Sequence, residues 1–314
     1  MHVIFGAGQV GTTLARTLLA RGHRVRLAHR SGIAPDGVES VKGDVTDAAF
    51  SAQASQGAAA IYHCVNPPYF TSVWARELPR IADSLIAAAG RSRARLVLID
   101  NLYMYGRPKG GALDEESRIA PCSRKGEVRA RIGQRYLDAH RKGDARVVIG
   151  RASDFYGPAA TGSHLGDAFW PKALSKGVGQ LVVRTDTPHT YHFLPDVTLA
   201  LALLGEAGED ALGRVWMLPC APADTTDGMV RRFGRALGRE LKIQRMPRWM
   251  LSSLGIFVPI LRELAEMGYQ WEEPFVVSDR HFRERFGAEA VVTSLDDGAR
   301  ETVEWAKQHY GRSG

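Results

Sequence analysis

The chain has 314 residues, enough for one large domain or two intimate ones. With 45% hydrophobic and 24% charged residues it has an ordinary globular balance, which excludes disordered and fibrous classes. The net charge of +7 comes from scattered lysines and arginines, without the aromatic-interleaved stripe of a nucleic-acid binder. An anionic small ligand or a plainly solvated surface accounts for that excess.

An apolar strand, His2–Phe5, opens the chain with no cleavage pattern behind it, so no secretory leader is expected. Short β-branched runs then alternate with longer helical patterns, the signature of a parallel sheet with crossover helices. The expected strands are Arg24–His29, Glu39–Lys42, Ala60–Val65, Arg95–Ile99 and Arg146–Gly150, and the expected helices Val10–Arg21, Ser72–Ala89 and Lys125–Arg141. Beyond Gly157 the pattern loosens. Leu181–Val183 and Arg214–Leu218 read as strands, and Thr198–Leu204, Gly228–Leu237 and Gly298–His309 as helices. The apolar run from Met250 to Leu261 is shorter than the roughly 20 residues of a bilayer span and carries Pro259. It reads as a helix covering a pocket or a subunit contact, and no membrane association is expected. Cys64, Cys122 and Cys220 stand far apart, which fits neither a disulfide framework nor a zinc site and points to a reducing, cytoplasmic setting. No HxH, HExxH or GxSxG occurs, so neither a metal nor hydrolase chemistry is expected.

Gly6-Ala7-Gly8-Gln9-Val10-Gly11 is a GxGxxG between an apolar strand and an amphipathic helix. Gly6 and Gly8 permit a tight turn and close approach to a pyrophosphate, Gly11 lets the helix pack on the strand, and Gln9 and Val10 open the helix whose free N–H groups face the anion. After the second strand, Leu27-Ala28-His29-Arg30-Ser31-Gly32 has no carboxylate for ribose hydroxyls, and Asp36 is the first acid. Arg30 and Ser31 stand where a 2′-phosphate is gripped, so NADPH is the expected cofactor.

With these features in place, the chain resembles the extended branch of the short-chain dehydrogenase/reductase superfamily, the NAD-dependent epimerase/dehydratase family. Gly43-Asp44-Val45-Thr46-Asp47 resembles the GDxxD segment, which implies that Asp44 and Val45 contact adenine. Ile61-Tyr62-His63-Cys64-Val65-Asn66 is similar to the segment beside the cofactor ribose, and so implies Cys64, Val65 and Asn66 as binding residues. Asp100-Asn101-Leu102-Tyr103-Met104-Tyr105-Gly106 resembles SSxxVYG, and Arg151-Ala152-Ser153-Asp154-Phe155-Tyr156-Gly157-Pro158 resembles RxxNxYGP, placing Ala152 and Asp154 beside the nicotinamide. His192-Phe193-Leu194-Pro195-Asp196-Val197 resembles xFxxVxDV. The implied fold is α/β, a Rossmann-type doubly wound parallel sheet with a smaller C-terminal substrate lobe. Residues 1–157 with about 190–217 form the NAD(P)-binding domain, and 158–189 with 218–314 the substrate-binding lobe. A homodimer pairing the helices Ser72–Ala89 and Lys125–Arg141 is also implied.

The departures fall at the chemistry. Asn101 occupies the catalytic serine or threonine position, Lys125 and Arg129 align with the tyrosine and lysine of YxxxK, and Phe5 stands at the first glycine of GxxGxxG. Carbonyl reduction needs a proton donor and a hydrogen bond to the oxygen. Tyr103 is the first candidate donor, its phenol pKa lowered by Lys125 or Arg129, with Asn101 donating to the substrate oxygen and Lys125 as the alternative donor. Arg129 would hold the nicotinamide ribose or a structural carboxylate, and Tyr105 reads as structural. Tyr69, Trp74, His164 and His192 are candidate pocket residues. Three functions stay open: an NADPH-dependent oxidoreductase reducing a carbonyl-type group on a small molecule, a sugar-nucleotide epimerase or dehydratase with a tightly held cofactor, and a regulatory protein that binds NADPH without turnover.

Overall fold

A computed structural model of the chain describes residues 1–31, 34–181, 184–245 and 258–311. Seven parallel strands form the central sheet: β1 (His2–Phe5), β2 (Val25–His29), β3 (Glu39–Lys42), β4 (Ala60–His63), β5 (Arg95–Asp100), β6 (Arg146–Arg151) and β11 (Val215–Met217). Their spatial order is β11-β6-β5-β4-β1-β2-β3, so the chain reverses its direction of travel between β1 and β4. A ligand crevice is expected outside the carboxyl ends of strands at such a switch point. This is the Rossmann-type doubly wound sheet that the strand and helix alternation predicts.

Period-two alternation distributes the sheet's side chains between two cores. Ile4, Val97 and Val148 face α1 (Gln9–Ala20) and α6 (Leu194–Glu206), where Leu14, Leu18, Leu201 and Leu204 cover them. Val3, Phe5, Leu96, Leu98 and Ile149 face the other way, onto Leu78, Ile81 and Leu85 of α3 (Thr71–Ser92) and Ile132 and Tyr136 of α4 (Arg124–Lys142). Both faces of the sheet are therefore dry, as parallel sheets require.

Several sequence boundaries shift by one to four residues. The expected strand Ala60–Val65 ends at His63, because Cys64 and Val65 leave the ladder to line the crevice. The helix expected at Thr198–Leu204 starts earlier, at Leu194, with Pro195 in its first turn, where a missing N–H costs nothing. A short helix, α2 (Ala48–Ala54), was not anticipated. Asp47 caps it by accepting from the N–H groups of Ala49 and Phe50. The strand expected at Leu181–Val183 is instead β8 (Val178–Leu181), and residues 182–183 lie outside the described residues. The run from Met250 is likewise outside them as far as residue 257.

The second half builds a third core. Phe169 and Trp170 at the start of α5 (Trp170–Lys176) meet Phe233 of α7 (Thr226–Leu237) and Val303 and Ala306 of α10 (Leu295–Tyr310). Among the described residues no helix is long and apolar enough to cross a membrane.

Two buried histidines make this fold sensitive to acid. On β4, His63 has Nδ1 bonded to the Tyr136 hydroxyl at 2.8 Å, and burial, with Arg129 nearby, pushes its pKa down to about 3. Burial likewise lowers His192 to about 4. Both are neutral in the native state and take up protons only when unfolded. Their contribution is therefore complete above about pH 6.5 and is lost as pH falls toward 4, at up to about 1.4 kcal/mol per unit for each group. Calorimetry should show a Tm that is level near pH 7–8 and declines steadily below about 6.5. A level Tm down to pH 4.5 would contradict this assignment.

Candidate functional site

The turn from β1 into α1 begins with Gly6 at φ +107°, where a Cβ would lie 2.8 Å from the Cys64 carbonyl oxygen. At Gly11 a Cβ would meet the Gly6 carbonyl oxygen at 1.8 Å, so glycine is what lets α1 sit against the turn. Gly8 is different: among the described residues no atom beyond its chain neighbours lies within 4 Å of where its Cβ would be. Gly8 caps α1 without a side-chain acceptor, and the first turn of the helix has no acid. Its free N–H groups and positive dipole end are left to an anion. Gln9 turns aside, and its Oε1 accepts from the Gly162 N–H at 2.8 Å, tying the turn to the segment after Gly157.

A crevice of about 1070 Å³ runs from this turn along the strand ends. Gly6, Gly8, Gln9 and Val10 line its start, Arg30, Ser31, Asp44 and Val45 one flank, and Cys64, Val65 and Asn66 its middle. Gly11 lies behind the turn as its packing residue. At the end of β2, His29 Nδ1 bonds the Ser31 hydroxyl at 2.7 Å and its Nε2 faces Ser40 at 3.3 Å, while Arg30 is exposed. The Asp44 carboxyl is held below its usual pKa by the Thr46 N–H and hydroxyl, with Arg30 and Arg80 adding to this. The Cys64 thiol is pushed up to about 12 by burial and is no nucleophile.

At the far end stand Tyr69, Trp74, Asn101, Tyr103, Arg129, Ala152 and Asp154. Asp100, buried at the end of β5, accepts from Arg151 Nε at 3.3 Å and from Arg129 Nη1 at 3.4 Å. Arg129 also donates to Asn66 Oδ1 at 2.8 Å and lies 4.5 Å from the Trp74 ring centre, yet its buried Nε has no partner among the described residues. Asn101 Oδ1 accepts from the Tyr103 N–H at 3.1 Å, which fixes the turn that presents Tyr103. The hydroxyls of Tyr103 and Tyr69 are 3.1 Å apart. Tyr105 is structural: Arg151 Nη1 donates to its hydroxyl at 2.7 Å. A dinucleotide suits this crevice, given the open space at Gly8, the uncapped α1 terminus and the unsatisfied Arg129 nitrogen.

Four expectations are corrected. Lys125 does not line the crevice. Its fully buried ammonium pairs with Glu263 and lies 3.5 Å from Glu266, both on α8 (Pro259–Glu266), and 4.6 Å from the centre of the Tyr69 ring. A buried cation requires such neutralisation, so Lys125 joins α4 to α8 rather than donating a proton. Nor do cations lower the Tyr103 phenol. Burial, followed by the charge of Asp154, pushes it up to about 12, and Tyr69 and Arg129 offset this only in part. His192 faces inward, with Nε2 donating to the Leu218 carbonyl at 3.1 Å and Nδ1 accepting from the Ser153 N–H at 3.1 Å. His164 is also off the crevice wall, its Nδ1 3.8 Å from Asp154 Oδ1. Sequence reasoning does not single out Ser153 and Gln270, which also line the crevice, or His189 behind Asp154, because Ser153 lies between strands and the other two sit in elements of four and two residues, too short for a period to show.

A sequence model of the NAD dependent epimerase/dehydratase family matches residues 2–194. Among solved structures, the chain is similar to UDP-glucuronic acid 4-epimerase from Bacillus cereus in complex with NAD. The TM-score is 0.76 at 14% identity, covering 99% of this chain and 100% of that one. It is also similar to UDP-glucose 4-epimerase from Brucella ovis in complex with NAD, with a TM-score of 0.78 at 17% identity over 99% and 98% of the two chains. At such identities the likeness is one of fold. No curated protein matches the sequence.

The two glycines separate packing from binding. Gly11→Ala should lose about 1–3 kcal/mol in urea unfolding through overpacking. Gly8→Ala should keep its unfolding midpoint and weaken dinucleotide binding by about tenfold or more, read by titration. Unchanged binding in Gly8→Ala would show that the open space there is not the cradle.

Proposed function

Because the chain belongs to the NAD-dependent epimerase/dehydratase family, we propose that it is a nicotinamide dinucleotide-dependent enzyme that oxidises and re-reduces a hydroxyl-bearing carbon of a sugar nucleotide. The observation that carries this reading is a continuous crevice that begins at an anion cradle and ends among Tyr69, Asn101, Tyr103, Arg129 and Asp154. The dinucleotide, when bound, supplies a hydride acceptor and donor, and the chain's own residues bind, orient and move protons. Arg129, fixed by Asp100, Asn66 and the Trp74 face, has an Nε free to donate to a ribose hydroxyl. Tyr103 stays protonated at neutral pH because burial raises its pKa, so its hydroxyl donates a hydrogen bond to the substrate oxygen. The Asn101 amide, whose oxygen is committed to the Tyr103 N–H, donates a second.

For the cofactor we propose NADP(H), since Arg30 stands exposed after β2 with Ser31 beside it and no carboxylate there to repel a 2′-phosphate. This same feature favours a second reading, net NADPH-dependent reduction of a carbonyl on a small molecule. We further propose that α3 and α4 pair across a homodimer, which light scattering would show.

Native purification and mass spectrometry of the bound nucleotide, followed by incubation with UDP-glucose and UDP-glucuronic acid, separate these readings. The expected result is a retained dinucleotide and a converted sugar with no net change in reduced cofactor. NADPH consumption on a carbonyl panel, with UDP-sugars untouched, would replace the first reading with the second. Binding without turnover in either assay would leave only a binding role. NADP⁺ should bind about tenfold tighter than NAD⁺, and Arg30→Ala should abolish that difference. Equal affinities would remove the cofactor assignment. Tyr103→Phe should lower turnover by about 10²–10³, the usual cost of one such donor, with dinucleotide affinity retained. Normal turnover would exclude that role.

A further inference from the structure

Asp154 opens β7 (Asp154–Tyr156), just past the end of β6. A quarter of its side chain is exposed (25%), whereas His189, at the end of β9 (Pro188–His189), is buried behind it with 1% exposed. The His189 ring lies near-parallel to Trp271 and Phe275, at 5.5 and 5.6 Å between ring centres, in surroundings that exclude water. Its Nδ1 faces the Gln270 carbonyl oxygen at 3.3 Å, and its Nε2 faces Asp154 Oδ2 at 2.7 Å, with the Ser153 hydroxyl at 3.2 Å.

A carbonyl oxygen only accepts, so Nδ1 carries a proton. A neutral imidazole has only that one proton to give. Its bare Nε2 would then set a lone pair against a carboxylate oxygen at 2.7 Å, which is hydrogen-bond distance and tolerable only with a proton between the two atoms. The arrangement therefore holds one proton more than a carboxylate beside a neutral imidazole.

We propose that Asp154 and His189 hold one exchangeable proton between them, and that Asp154 is the acid/base that passes it to and from the substrate oxygen in the crevice. This rests on the redox reading above, for which Tyr103 supplies a hydrogen bond but no base at neutral pH. Burial raises the Asp154 carboxyl, but the hydrogen bonds and charges of His164 and His189 outweigh it and hold the group well below the usual carboxylate range. The resting proton thus sits on the His189 side. The other groups sensing the Asp154 charge are Tyr69, Tyr103, Tyr191 and His192, all held neutral by burial.

In the reducing direction a hydride from the reduced dinucleotide bonds to the carbonyl carbon and the C=O π pair moves to oxygen. That oxygen takes a proton from Asp154, which is resupplied from His189 Nε2, leaving a carboxylate and a neutral imidazole. Oxidation of an alcohol runs the same steps backward once the pair has released its resting proton to solvent across the exposed edge of Asp154, the alcohol proton then refilling it. His189 acts through Asp154 and is a positioning residue.

Nitrogen NMR of histidine-labelled protein near neutral pH, without substrate, tests the pair directly. The expected spectrum has both His189 ring nitrogens protonated in the native protein, assigned by their loss in His189→Gln. In Asp154→Asn only Nδ1 stays protonated, because the new amide can donate to a bare Nε2. A native His189 with either nitrogen bare overturns the proposal, and the native spectrum decides this even if a variant misfolds. With UDP-glucose as probe, Asp154→Asn should lower kcat by about 10²–10⁴ at unchanged NADP⁺ affinity. An unchanged kcat overturns the catalytic assignment. Absence of UDP-sugar turnover in the native enzyme counts against the sugar-nucleotide reading, while the NMR result still decides the shared proton.

Discussion

The close contact of Gly11 with the carbonyl of Gly6 sets the geometry on which the crevice depends. With 1.8 Å between that oxygen and any Cβ at position 11, only glycine lets α1 start so near the end of β1. β1 lies between β4 and β2, and its last residue, Phe5, is in register with Ala28 of β2 and His63 of β4. The chain therefore leaves all three strands at one level. The helix terminus, Arg30 and Cys64 arrive around a single space.

Charge within this space is largely settled by the protein itself. Asp100 accepts from two arginines at once, and the registered pairing of Asp100 with Arg151 across β5 and β6 holds it in place. Lys125 is spent on Glu263, which also accepts from the hydroxyl of Thr71 at 2.8 Å, so α3, α4 and α8 meet at one ion pair. Left for a ligand among the described residues are the uncapped α1 terminus, Arg30, one Arg129 nitrogen and the open side of Asp154, with Arg76 and Arg80 sharing Glu77 on the wall. With a lysine at the tyrosine position locked into packing, α4 sends Arg129 to the crevice, while Tyr103 and Asp154 come from the turn after β5 and the start of β7.

The sheet was legible in the sequence because its signals are local. Apolar strands bounded by glycine, the GxGxxG at residue 6 and the missing acid after β2 each depend on neighbours a few residues away. The site was legible as far as those segments reach, which brought Asn66, Asn101, Tyr103, Arg129 and Asp154 to one wall. It failed for Lys125, whose fate is decided by Glu263 more than a hundred residues later, on a helix whose approach leaves no periodic trace. His189 was invisible for the same reason: it sits in a two-residue strand and its partner lies 35 residues away. The Tyr103 phenol was misjudged because burial, which motif spacing does not report, outweighs the nearby arginine.

The bond from the Gly162 N–H to Gln9 joins the two banks of the crevice beside the anion cradle, where Gly162 and Ser163 also form part of the wall. The bond holds the segment after Gly157 against the start of α1, so the distance between the two banks at the cradle rests on a single side-chain contact. In this fold the width of the anion end falls to one glutamine side chain outside the reacting groups.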